Sequence, residues 1–155
     1  MYMAQLLLSN TVHPSKEINQ TTTATKICPT TAQYAKDTIV CVECFKPRVV
    51  YAKKLLPQEM QDFRNAIQDV HYTCGSALGY DGEIFNKLQV RENITCGSPL
   101  EKSYYAKFPA ACFHCGNNET KELTVAADKY PICEECVRQK KKPKQKPKLY
   151  APANN

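Results

Sequence analysis

The chain has 155 residues, 43% of them hydrophobic and 23% charged, with nine cysteines, ten prolines, no tryptophan and a net charge of +6. That length holds one domain with at most two sub-domains. No apolar run approaches the roughly 20 residues of a membrane span, so a soluble protein without membrane association is expected.

In chain order, residues 1–37 are rich in Thr, Ser and Asn, contain Pro14 and Pro29, and lack sustained periodicity. They are expected to be disordered, with Cys28 binding nothing. The opening Met1–Asn10 stretch has a short apolar patch but no basic flank, a poor secretory signal. A reducing compartment follows as an expectation, and there paired cysteines read as metal sites rather than disulfides.

The first pair, Cys41-Val-Glu-Cys44, precedes a β-branched run, Arg48 to Ala52, expected as a strand. Pro57 suits the first helical position with Glu59 in the first turn. Met60, Phe63, Ile67 and Val70 recur at helical spacing up to His71, a stripe expected to face the core. Two near-copies of one phrase follow, Tyr72-Thr-Cys74-Gly-Ser and Ile94-Thr-Cys96-Gly-Ser, the second entered by an expected strand over 89–95. Cys-Gly suits tight turns because glycine accepts positive φ.

Cys112-Phe-His-Cys115-Gly116 is a zinc knuckle, and Cys133-Glu-Glu-Cys136 follows after 17 residues. Between them, 122–126 is expected as a strand of a short hairpin. A helix is expected from about Cys133 until Pro143 stops it. Its N-terminal amides would face the thiolates and stabilise their charge.

Eight cysteines thus fall into two sets of four, Cys41, Cys44, Cys74 and Cys96, and Cys112, Cys115, Cys133 and Cys136, predicting two structural zinc ions. His71, three residues before Cys74, is an alternative to Cys96. A cross-braced pairing of Cys41/Cys44 with Cys112/Cys115 is a further alternative. His114, inside the knuckle, is expected to face solvent.

The fold class expected is a small α+β zinc-stabilised fold of treble-clef or zinc-ribbon-like units. One helix lies between the first Cys pairs and another near the C-terminus. The organisation expected is a disordered 1–37, a first zinc unit over 38–108, a second over 109–142, and a disordered tail over 143–155. Each structural zinc adds on the order of 10 kcal/mol of binding free energy coupled to folding.

Seven basic residues and no acid lie between Arg138 and Lys148; subtracting them from +6 leaves the rest of the chain at −1. The segment reads as a nuclear-import signal or a phosphate-binding arm. Candidate nucleic-acid contacts are Lys46, Arg48, Tyr51, Lys53 and Lys54 in the body, and Arg138, Lys140, Lys141 and Lys142 in the tail.

No Gly-rich phosphate loop, Gly-x-Ser-x-Gly turn or carboxylate dyad is present. Four thiolates would leave zinc no open position, so no enzyme activity and no small-molecule substrate are expected. The expected role is a nuclear zinc module that binds DNA or RNA, with an import receptor taking the tail. The alternative is an adaptor for a protein partner, including a ubiquitin-ligase-like one.

The phrases Cys41-Val-Glu-Cys-Phe-Lys-Pro-Arg-Val-Val-Tyr-Ala-Lys-Lys54, Tyr72-Thr-Cys-Gly-Ser and Cys112-Phe-His-Cys-Gly116 resemble cysteine-rich segments of animal mobile-element-type proteins, over roughly residues 38 to 140. The resemblance implies a zinc module attached to a larger mobile-element protein and assigns no activity. A looser similarity is to the papillomavirus early oncoproteins, zinc adaptors built on Cys-x-x-Cys pairs. The 29 residues between Cys44 and Cys74 match that family's gap, but Cys74 lacks a nearby second cysteine and the later spacings differ.

Overall fold

In a computed structural model, the described residues are 28–79 and 82–148. They form two two-stranded antiparallel sheets and a few short helices, a small α+β fold. Strand β1 (Ala35–Val40) pairs with β2 (Pro47–Tyr51), in a register that sets Ile39 opposite Arg48 and Val40 opposite Pro47. The turn of this hairpin is the first Cys pair. Helix α1 (Pro57–Ala66) follows. A second hairpin, β3 (Leu123–Ala126) and β4 (Lys129–Cys133), leads into helix α2 (Glu134–Arg138).

β2 explains how so small a chain builds a core. Its side chains alternate faces, and both faces are covered. Val50 and Ala52 join Ile39, Phe63, Tyr72, Phe85 and Val90 on one side. Val49 and Tyr51 join Cys28, Ala35, Leu100 and Tyr104 on the other. A strand buried on both faces needs a continuous apolar run, which Val49-Val-Tyr-Ala52 supplies.

α1 opens as expected, with Pro57 in its first turn and the Leu56 N–H donating to Glu59 Oε2 at 2.9 Å. Lys87 also pairs with Glu59, and it, with the Leu56 amide, holds the Glu59 carboxyl below its usual range. Phe63 is buried, and Met60, Ile67 and Val70 pack around it, so the stripe faces the core. The α-helix ends earlier than expected, giving way to a 3-10 turn over Ile67–Asp69 before Val70 turns extended.

Four further expectations are corrected. Residues 28–37 are ordered: Cys28 and Ala35 are buried, and β1 begins at Ala35. The rest of that terminal segment, 1–27, lies outside the described residues, as do 149–155. The strand expected over 89–95 is a single bridge, in which Tyr51 and Gln89 exchange two N–H to O bonds of 2.8 Å. The chain then bends toward the second Thr-Cys-Gly turn, and Ile94 O lies so near Gly75 that a Cβ there would sit 2.4 Å from it.

The C-terminal helix stops at Arg138, well before Pro143. Lys140 takes φ +60°, its N–H donates to Val137 O, and the Lys141 N–H donates to Cys136 O. That pair of bonds is a Schellman closure, which ends a helix and reverses the chain. The reversed segment is not a free tail. Tyr130 N–H donates to Lys144 O (2.9 Å), Lys146 N–H donates to Asp128 O (2.8 Å), and Gln145 bridges Lys129. Residues 144–146 thus meet the start of β4 at a single antiparallel bridge.

Candidate metal centres

Two groups of four sulfurs converge. Sγ atoms of Cys41, Cys44, Cys74 and Cys96 lie within 4.8 Å of one another, and those of Cys112, Cys115, Cys133 and Cys136 do the same. The resolved pairs are 3.7 Å (Cys41–Cys96), 3.6 Å (Cys44–Cys74) and 3.6 Å (Cys115–Cys133). A disulfide requires about 2.05 Å. Zinc about 2.3 Å from each sulfur of a tetrahedron sets them about 3.8 Å apart. The donor set and its spacing fit zinc, and each cluster can hold one ion.

Both centres are built on the same knuckle. In the first, Phe45 N–H donates to Cys41 O and Cys41 N–H to Lys46 O. In the second, Gly116 N–H donates to Cys112 O and Cys112 N–H to Asn117 O. The residue after the second cysteine has positive φ in each case: Gly116 at +78° and Phe45 at +61°. The other two ligands arrive differently. At the first centre they come from twin turns closed by Ser76 N–H to Thr73 O and Ser98 N–H to Thr95 O, both 3.0 Å. At the second they flank the β4–α2 junction.

Cys96, not His71, completes the first set, and the cross-braced pairing is not formed. Cys28 lies outside both clusters, packed in the core. His114 is half-buried rather than solvent-facing: its ring stands edge-on to Phe113, and Nε2–H donates to Lys142 O at 2.9 Å.

Electrostatics single out one sulfur in each centre. Burial pushes the Cys41 thiol up, but the amides of Cys44, Glu43 and Cys74 prevail and bring it down to about 6. At Cys112 the same contest, won by the amides of Cys115, Cys133 and His114, ends at about 7. Cys96 and Cys136 are pushed up by burial and by hydrogen bonds shared with the neighbouring sulfurs. Each knuckle therefore offers an amide-cradled thiolate as a first ligand, and binding the metal expels the remaining protons.

Three residues expected to touch nucleic acid are turned inward. Arg48 is wholly buried; Nε donates to Cys74 Sγ (3.2 Å) and the two terminal nitrogens donate to Pro99 O (2.6 Å), Thr95 O (3.1 Å) and Ser98 O (2.8 Å). Lys46, 7% exposed, donates to Cys96 O (2.6 Å) and Ser98 O (3.1 Å). Tyr51 is buried, with its hydroxyl bonded to Glu101 and Ser103. The reason is position: 46 and 48 lie on one face of the strand leaving the knuckle, the face that meets the first centre. A zinc ion held by four thiolates would carry two net negative charges, which Arg48 on Cys74 Sγ and Lys46 on the Cys96 carbonyl would offset. This supporting role was missed from sequence; its signal is two cations two residues apart directly after a Cys pair.

The centres also touch. The Lys46 stem and Pro47 pack on Gly116, where a Cβ would sit 3.1 Å from Pro47 Cδ. Leu100 N–H donates to Phe113 O at 2.8 Å.

No family model, curated protein or solved structure matches the chain. Its chemistry is therefore read from the centres and the surface around them. Among the remaining expected contacts, Lys53, Lys54, Arg138, Lys140, Lys141 and Lys142 are all exposed. Lys53 and Lys54 line an open groove of about 1180 Å³. Lys87 and Arg91, on the same groove, are ion-paired with Glu59 and Glu101.

Proposed function

We propose that the protein is a non-catalytic, zinc-stabilised module that contacts DNA or RNA in the nucleus through its basic C-terminal segment. The observation that carries this reading is that all seven cations from Arg138 to Lys148 are exposed on a segment anchored to the second centre. Only Arg138 among them is ion-paired within the described residues, to Glu135. Such a cluster neutralises phosphates and exchanges their counterions. The body contributes less, because Lys46 and Arg48 are committed to the first centre. The non-catalytic part rests on the four-thiolate donor sets, which fill a tetrahedral zinc and leave no position for substrate. The mobile-element association rests on the resemblance of the Cys phrases alone, and nuclear import on the composition of the basic segment.

One observation favours an adaptor for a protein partner. Val40, Val42 and Phe45 stand 51%, 43% and 74% exposed around the first knuckle. Apolar side chains grouped on a surface suit a protein contact.

The test is filter binding of zinc-loaded full chain to single-stranded and duplex oligonucleotides over a salt series. Affinity should fall steeply with salt. Absence of binding at low salt overturns the nucleic-acid reading and leaves the adaptor.

A further inference from the structure

The basic segment is generally the kind of sequence that stays extended and mobile, and its cations then act as an unaligned cloud. Here it is fastened. Its backbone is tied to both ends of the Lys129 bridge by the Tyr130 N–H to Lys144 O and Lys146 N–H to Asp128 O bonds. His114 Nε2–H holds Lys142 O. Lys146 Nζ stands 5.9 Å from the centre of the Tyr130 ring, within cation–π range. That ring is stacked on Phe113 (centroids 5.0 Å) and packed on Tyr105 (4.8 Å). Phe113 belongs to the second knuckle. The segment is therefore anchored on the start of β4 and on His114 of the second knuckle.

The pairing fixes which way the lysines face. The two hydrogen bonds flank the Lys129–Gln145 pair, so those two side chains lie on one face of the ladder. Lys144 and Lys146 lie on the other, with Tyr130. Side chains two residues apart on a strand are about 6.7 Å apart, close to the separation of successive phosphates along one nucleic-acid strand. We propose that Lys144 and Lys146 form an aligned pair of phosphate ligands on the second zinc unit, held in register by the Lys129–Gln145 bridge and the two backbone hydrogen bonds that flank it. The occupant is the sugar–phosphate backbone of one strand. A fixed pair engages successive phosphates without the ordering cost a mobile arm would bear on binding. Phosphate contact gives affinity and register but no base readout.

This inference rests on the nucleic-acid reading above, and the experiment separates the two. Zinc-loaded full chain is titrated with a labelled single strand over a salt series in three forms: unaltered, Lys144→Gln/Lys146→Gln, and Lys144→Gln/Gln145→Lys. The last keeps the net charge and moves one cation to the opposite face. If the pair is the ligand, the double Gln variant lowers the slope of log K against log salt by about 1.4 and the swap lowers it by about 0.7. Hydrogen exchange of the unaltered protein should show the Tyr130 and Lys146 amides protected, and a chelator should abolish that protection. A swap variant that binds like the unaltered chain, beside a weakened double Gln variant, overturns the alignment and leaves the nucleic-acid reading standing. Failure of the unaltered chain to bind overturns both.

Discussion

At the scale of single residues, Arg48 has the most demanding position. A buried guanidinium costs several kcal/mol unless its donors are met and its charge balanced. Three carbonyls and Cys74 Sγ meet the donors, and a zinc-loaded first centre would supply the balancing charge. Burial pushes the Cys74 thiol up and Arg48 pulls against it, so the guanidinium supports the thiolate needed for metal binding. Arg48→Met is expected to lower zinc affinity at the first centre by about 10- to 100-fold, the usual effect of losing a ligand's supporting partner. Arg48→Lys, which keeps the charge and loses the fork, should fall between. Chelator competition reads both, with the second centre as internal control. Equal affinities in all three proteins would remove Arg48 from the centre's chemistry.

At the scale of elements, the two knuckles are one structure with different side chains at the left-handed position. Gly116 is there for space as well as φ, since Pro47 and Lys46 crowd it. Phe45 adopts the same turn with a bulky ring, 74% exposed, and gains little burial in return. A non-glycine residue in that conformation costs roughly 1–2 kcal/mol. Phe45→Gly should therefore stabilise the zinc-loaded protein by about 1 kcal/mol, read by denaturant unfolding. Destabilisation would mean that the ring packs in a way its exposure belies. The Schellman closure after α2 is the other decisive element, because it turns the basic segment back along β4 instead of letting it continue as helix.

At the scale of the molecule, the first centre packs with one buried face of β2 and the second centre is the heart of a cluster of its own, so each metal stands with its own part of the fold. The free thiol of an unfolded chain has a pKa of about 8.5. In the folded, metal-free chain Cys41 lies at about 6 and Cys112 at about 7, through knuckle amides that outweigh burial. Depressed values stabilise the fold above the unfolded pKa, and that contribution is lost as pH falls through the folded ones. Protons compete with zinc in the same direction. Zinc affinity is thus expected to fall from pH 8 to pH 5. The second centre should weaken first, because among the described residues no buried cation supports it as Arg48 and Lys46 support the first. Chelator competition at stepped pH measures both sites. Affinity independent of pH over that range would contradict thiolate ligation, and simultaneous loss would contradict the asymmetry.

The eight ligands, their grouping and the start of α1 were legible in the sequence because they depend on local chemistry. A Cys pair makes its own knuckle, Cys-Gly its own turn, and Pro57 with Glu59 its own helix start. β1 was not legible: Ala-Lys-Asp-Thr-Ile-Val gains strand structure only from pairing with β2. The fates of Lys46, Arg48 and Tyr51 were invisible for the same reason. A run of cations beside a tyrosine reads as surface until a metal centre and the Glu101 carboxylate are brought to it from about fifty residues away. The tail followed suit. Its composition specifies an extended, highly charged segment, and only β4 and the aromatic stack on the second knuckle decide where it lies and which way its lysines face. Short-range geometry is encoded residue by residue; burial and the facing of charge are properties of what the rest of the chain places opposite.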